Sequence, residues 1–87
     1  MPFGGAFFPK IVESKVIYAN AVTITSATLT ANIVSGSAAF YLSADDGANW
    51  EQVTNGGLHT FTNTGTRLKY RVVLNKGTSI DNIEVAY

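Results

Sequence analysis

Residues 67–74 alternate strictly: Leu68, Tyr70, Val72 and Leu74 fall on one face, Arg67, Lys69, Arg71 and Val73 on the other. Period two is the mark of a half-buried strand. The chain closes the same way, with Ile83, Val85 and Tyr87 one way and Glu84 and Ala86 the other. Residues 10–34 contain no Gly or Pro, so a helix has to be weighed there. Val22, Ile24 and then Leu29, Ala31 and Ile33 nevertheless alternate with Thr23, Thr25, Thr28, Thr30 and Asn32, which is again period two and not 3.6. The phase slips at Ser26-Ala27, which predicts a β-bulge or tight bend. Ile11-Val12 and Val16-Ile17-Tyr18 read as one earlier strand, closed by Ala19-Asn20.

The remaining strands are expected at 39–43, 50–53 and 58–61, the last separated from 67–74 by a turn at Asn63-Thr64-Gly65. Ser35-Gly36-Ser37, residues 44–49, Asn55-Gly56-Gly57 and Asn75-Lys76-Gly77 supply the other reversals, Asn-Gly being the strongest short hairpin signal. About seven strands spaced roughly 8–12 residues apart describe an all-β fold, an antiparallel β-sandwich or jelly-roll-like barrel. No strand–helix–strand alternation is present, so a parallel sheet is excluded. The expected interior is Leu29, Phe40, Leu42, Trp50, Leu68, Tyr70, Val72, Ile83 and Val85.

Composition agrees. Val, Ile and Thr number 24 and the aromatics 10 among 87 residues, types that suit a pleated, half-buried surface. One domain is expected at this length, residues 11–87, behind an extended N-terminal arm of residues 1–10. The arm begins without basic residues, and Gly4-Gly5 interrupts its apolar part, so it does not read as a signal peptide. It carries Phe3, Phe7 and Phe8, which either fold back on their own domain or dock on a neighbouring subunit. No apolar run approaches the roughly 20 residues of a membrane span.

Six basic residues balance six acidic ones, which removes the electrostatic footprint of a nucleic-acid binder. With no Cys and one His, disulfides, cysteine metal sites and most histidine chemistry lack their parts. No catalytic set can be assembled around His59, and the chain is short for walling off a pocket, so the expectation is a non-enzyme without cofactor or metal. Only 14% of the residues are charged, and a core this small without a covalent or metal staple barely offsets the ordering of the chain. Oligomerisation is the staple left.

The sharpest motif is Ser43-Ala44-Asp45-Asp46-Gly47-Ala48-Asn49-Trp50, an Asp-box of the form S-x-D-x-G-x-x-W. Its physics is structural: Asp45 accepts backbone N–H groups of its own turn, Gly47 supplies a positive φ, and Trp50 covers the hairpin base. A calcium loop through Asp45, Asp46 and Asn49 is the other reading, but it lacks EF-hand spacing and a distal Glu. Arg67, Lys69 and Arg71 read as a solvated face with one member paired to Glu84. Tyr41 and Trp50 could form a small glycan-stacking platform, since Tyr70 and Tyr87 share the phase of core residues.

From about Val22 to Tyr87 the chain resembles β-sandwich modules of tailed-bacteriophage virion proteins, found in tails, fibres, baseplates and head decorations. The likeness rests on the Thr-rich stretch 24–31, the aromatic strand 40–43 entering the Asp-box, the segment 59–74 with its Gly-x-x-Leu-x-x-Arg pattern, and the closing residues 83–87. It implies a virion structural protein, head-decoration or tail-associated, made in the host cytoplasm and located in the virion. Its partners would be itself, as a homo-oligomer with a trimer as first guess, and other virion proteins. Such modules also occur beside carbohydrate-binding and adhesive domains, so recognition of a host glycan is the alternative function.

Overall fold

The computed structural model describes residues 10–87, and of residues 18–21 the backbone alone. The arm residues Phe3, Phe7 and Phe8 therefore lie outside the described residues. Six strands and no helix make up what is described: β1 Lys10–Glu13, β2 Tyr18–Ser35, β3 Ala38–Ser43, β4 Glu51–Val53, β5 Leu58–Leu74 and β6 Ser79–Ala86. Every strand pairing is antiparallel, in the order β4-β3-β5-β2-β6 with β1 also on β5.

β5 belongs to two layers. Its residues 69–74 pair with β3, and 71–74 also pair with β1 on the other side. Its residues 58–68 pair with β2, whose second half carries β6. Leu29 on β2, Leu42 on β3 and Leu68 and Val72 on β5 are each at most 1% exposed. A single open sheet would leave one face of these strands wet, so such burial requires the two layers to face each other. The fold is an antiparallel β-sandwich. Ile24, Ala27, Ala31, Phe40, Val53 and Phe61 complete the centre, with Tyr70, Ile83 and Val85 half-buried against it.

The alternation read from the sequence places side chains correctly along β3, β5 and β6, but Tyr87, which shares the phase of Ile83 and Val85, is exposed just past the end of β6. The phase slip is real: a register shift falls between Ile24 and Ser26, after which Ala27, Leu29 and Ala31 point inward. A second irregularity sets Asn32 opposite Asn82 but Ile33 opposite Ile80. The extra residue, Asp81, lets Ile80 and Ile83 face the same way despite their odd spacing.

Several expectations are corrected. Asn63-Thr64-Gly65 is not a chain reversal. Ile24 sits opposite Gly65 and Ser26 opposite Thr60, so residues 61–64 bulge out of a strand that continues. Ala19-Asn20 does not end a strand either, because β2 runs through it. Instead β1 stops at Glu13, and the link to β2 stays on β5 through Ser14 N–H to Tyr70 O (2.9 Å) and Ile17 N–H to Leu68 O (2.8 Å). Two merged pairs and one split leave six strands where about seven were expected. Lys10, assigned to the arm, pairs with Leu74 as the first residue of β1. Trp50, expected inside, is half-buried and outside the central cluster.

Candidate functional site

The connection from β3 to β4 is the Asp-box, and its four signature residues meet in one turn. Ser43 donates its hydroxyl to Asp45 Oδ1 (2.7 Å) and accepts the Gly47 N–H (2.8 Å). Asp45 Oδ1 also accepts the Asn49 N–H (2.9 Å), and Oδ2 accepts Asn49 Nδ2 (2.7 Å). Burial alone would raise the Asp45 pKa, but these donors outweigh it and hold the carboxyl below its ordinary 3.8. Gly47 has φ +87°, and a Cβ there would stand 3.4 Å from the Trp50 ring. Asp46 adopts φ 62°, a left-handed conformation that Asp tolerates better than most residues.

The turn is locked to β5 by crossed backbone bonds, Asp46 N–H to Arg67 O and Arg67 N–H to Ala44 O, both 3.0 Å. Gly65 is what permits this crossing, because any Cβ there would collide with the Ala44 carbonyl oxygen. The basic face is paired, though not through Glu84. Arg71 meets Glu13 (Nη2 to Oε2, 2.7 Å), while Arg67 and Lys69 stand 3.6 and 3.8 Å from Asp46. Glu84 instead sits opposite Thr30, in the other layer. This corrects the expected pairing: β1, which carries Glu13, borders β5 where β6 does not.

Tyr41, on β3, is the cross-strand partner of Arg71. The Arg71 guanidinium lies 4.3 Å from the centroid of the Trp50 ring, a cation–π contact. Trp50 therefore has Arg71 on its ring, and Gly47 leaves a Cβ's space beside it, while Tyr41 is paired across the sheet with Arg71 and Gln52. Among the described residues, no three His, Cys, Asp or Glu side chains are grouped to hold a metal ion, and both Asp45 oxygens already accept protein donors.

A second polar cluster gathers around Glu51, the first residue of β4. Glu51 Oε1 accepts the Thr62 N–H (3.0 Å) and meets His59 Nε2 (2.8 Å); Oε2 accepts the Asn63 N–H (2.7 Å) and Asn63 Nδ2 (3.2 Å). A carboxylate only accepts, so His59 Nε2 bears the hydrogen here. Burial would raise the Glu51 pKa; the two backbone donors, His59 and the Asn63 amide bring it down to about 2. This carboxylate staples the bulge of β5 to β4. Sequence reasoning passed over Glu51, yet a signal existed: it shares the inward phase of Val53, where an acid needs dedicated partners.

A third feature is a groove of about 370 Å³ between β1 and β6, lined by Val12, Tyr70, Leu74, Ile80 and Ile83 together with the polar Thr78, Asp81 and Asn82. It escaped the sequence because it needs strands 10–13 and 79–86 to be brought to facing edges. No family model, no curated protein and no solved structure matches this chain.

Proposed function

We propose that this protein is a non-enzymatic structural subunit of a tailed-phage virion, head-decoration or tail-associated, that assembles as a homo-oligomer. The observation that carries the reading is uncovered apolar surface on a small sandwich with no covalent staple. Ile11, Val22, Val34, Leu58 and Tyr87 are each at least 60% exposed among the described residues. On the outside of the β1–β5–β3 layer, Ile11, Val73 and Ala39 stand opposite one another as an apolar row. Charged residues make up only 14% of the chain. The resemblance of the β module to those of phage particles supplies the setting, and a trimer is the stoichiometry it suggests.

The polar clusters support a building role over a chemical one. The Asp45 and Glu51 carboxylates spend their lone pairs on the protein's own turns, leaving neither poised for a substrate. Immunogold labelling of phage particles with antibody to this chain is expected to mark the head or the tail, and unlabelled particles would contradict the reading. The carbohydrate-binding alternative would replace it if host cell-wall sugars changed Trp50 fluorescence saturably and Trp50→Ala abolished the response with the fold intact. A flat titration is expected, because Arg71 already lies on the indole.

A further inference from the structure

Between β4 and β5 the chain passes through Thr54-Asn55-Gly56-Gly57, closed by the Gly57 N–H on the Thr54 carbonyl (2.9 Å). This turn holds β2 with a side chain where a strand would use its backbone. Asn55 Oδ1 accepts the Ala31 N–H (2.8 Å), and Asn55 Nδ2 donates to the Ala31 carbonyl (2.9 Å). Thr28 stands opposite Leu58, and the same register continued along both chains brings Ala31 opposite Asn55. The carboxamide thus supplies the acceptor and the donor that a further residue of β5 would have supplied. Beside it, the Gly56 N–H donates to the Leu29 carbonyl (2.8 Å).

Of the seven asparagines in the chain, Asn55 alone is followed by glycine. Glycine lacks the side chain that would keep its backbone nitrogen away from the preceding carboxamide. In an open turn the Gly56 nitrogen gives up its proton to hydroxide and attacks Asn55 Cγ. Ammonia leaves, and a succinimide ring closes. Water then opens the ring at one carbonyl or the other, giving aspartate or an isoaspartate whose main chain runs through Cγ. The net change exchanges an amide and water for a carboxylate and ammonium. Water is the only co-reactant, and both Asn55 and Gly56 are exposed to it.

In the folded chain both reacting groups are occupied. Ala31 clamps the carboxamide at its oxygen and its nitrogen, while the attacking nitrogen keeps its hydrogen on the Leu29 carbonyl. We propose that Asn55 is a deamidation site gated by the fold, silent while its carboxamide holds Ala31 and converted once the β4–β5 turn opens. The conversion runs one way. In aspartate an oxygen replaces Nδ2, so the Ala31 carbonyl loses its donor and faces a second acceptor. Isoaspartate lengthens the main chain by a carbon atom, which moves the Gly56 N–H off Leu29. Either product adds a negative charge to a chain whose formal charges balance. The turn, once converted, stays open, whether the chain works alone or in an assembly.

The full chain is incubated at mildly alkaline pH, folded in buffer and unfolded in urea. A peptide of residues 53–58 in both solvents removes the effect of urea itself. Peptide mapping by mass spectrometry follows the loss of Asn55. The folded chain is expected to lose it at least about ten times more slowly than the unfolded chain, because only its open fraction reacts. Equal rates after that correction would overturn the gate. Converted chains, separated by ion exchange on their added charge, are then returned to buffer beside unconverted ones. Hydrogen exchange read by nuclear magnetic resonance is expected to show the Ala31 and Gly56 amides protected in unconverted chains and unprotected in converted ones. Equal protection in the two would overturn the one-way step.

Discussion

Glu51 collects four donors on one carboxylate, two of them backbone N–H groups of the β5 bulge. A carboxyl held below its ordinary range takes up its proton first in the unfolded chain, so protonation draws the protein toward unfolding. Its contribution is complete above the ordinary 4.5 and is lost as the pH falls toward about 2. Asp45 adds to the same trend on the acid side of 3.8. The melting temperature of the native chain is therefore expected to drop between about pH 4.5 and pH 2. Glu51→Gln should start lower at neutral pH and show a shallower fall. An identical acid slope in the variant would mean that Glu51 is not the titrating group.

Asp45→Ala removes the acceptor for Ser43, for the Asn49 N–H and for the Asn49 amide. A loss of about 1–2 kcal/mol is expected in urea unfolding, the scale of one or two net hydrogen bonds in a half-buried turn. The loss should be the same with calcium or with chelator. If chelator alone unfolds the native chain and calcium restores it, Asp45 is a metal ligand and the structural role assigned to it is wrong.

At the scale of elements, the two layers are held in register where the Asp-box crosses β5. Gly65 has no room for a Cβ against the Ala44 carbonyl, whereas Gly56, in a turn at φ +81°, has nothing within 4 Å of one. Gly56→Ala is therefore expected to cost about 1–2 kcal/mol of left-handed backbone strain. Gly65→Ala should cost more, because the backbone of the turn itself must move. Paired urea titrations of the two variants check the order, and equal losses would show that the crossing is loose.

This crossing also marks where sequence reading stops. Strand faces were legible because they depend on neighbours two positions away, as in Leu68, Tyr70, Val72 and Leu74. The Asp-box was legible because its bonds span at most four residues, from Ser43 to Gly47 and from Asp45 to Asn49. Gly65 carried two meanings that sequence does not separate: a glycine of a turn, or a glycine under another backbone. Asn63 looked like a turn residue for the same reason, and only Glu51, twelve positions earlier, shows that its N–H is held within a continuous strand. Arg71 finds Glu13 across 58 positions, a pairing set by β1 joining β5 and by nothing local.

As a whole molecule, the protein is a narrow sandwich whose two long strands run most of its 50 Å length. Its buried residues lie mainly on β2, β3 and β5, and no buried side-chain polar atom lacks a partner among the described residues. Apolar surface remains uncovered along the row on the outer layer and at side chains such as Leu58 and Tyr87. A neutral chain with so few charges gains by covering such surface, and a second copy is the partner always at hand. The most direct test is the solution mass of the full chain by light scattering across a concentration series at neutral pH. A multiple of the 9.3 kDa chain mass, three-fold for the trimer, is expected to hold down to low micromolar concentration. A mass of one chain at every concentration would contradict it.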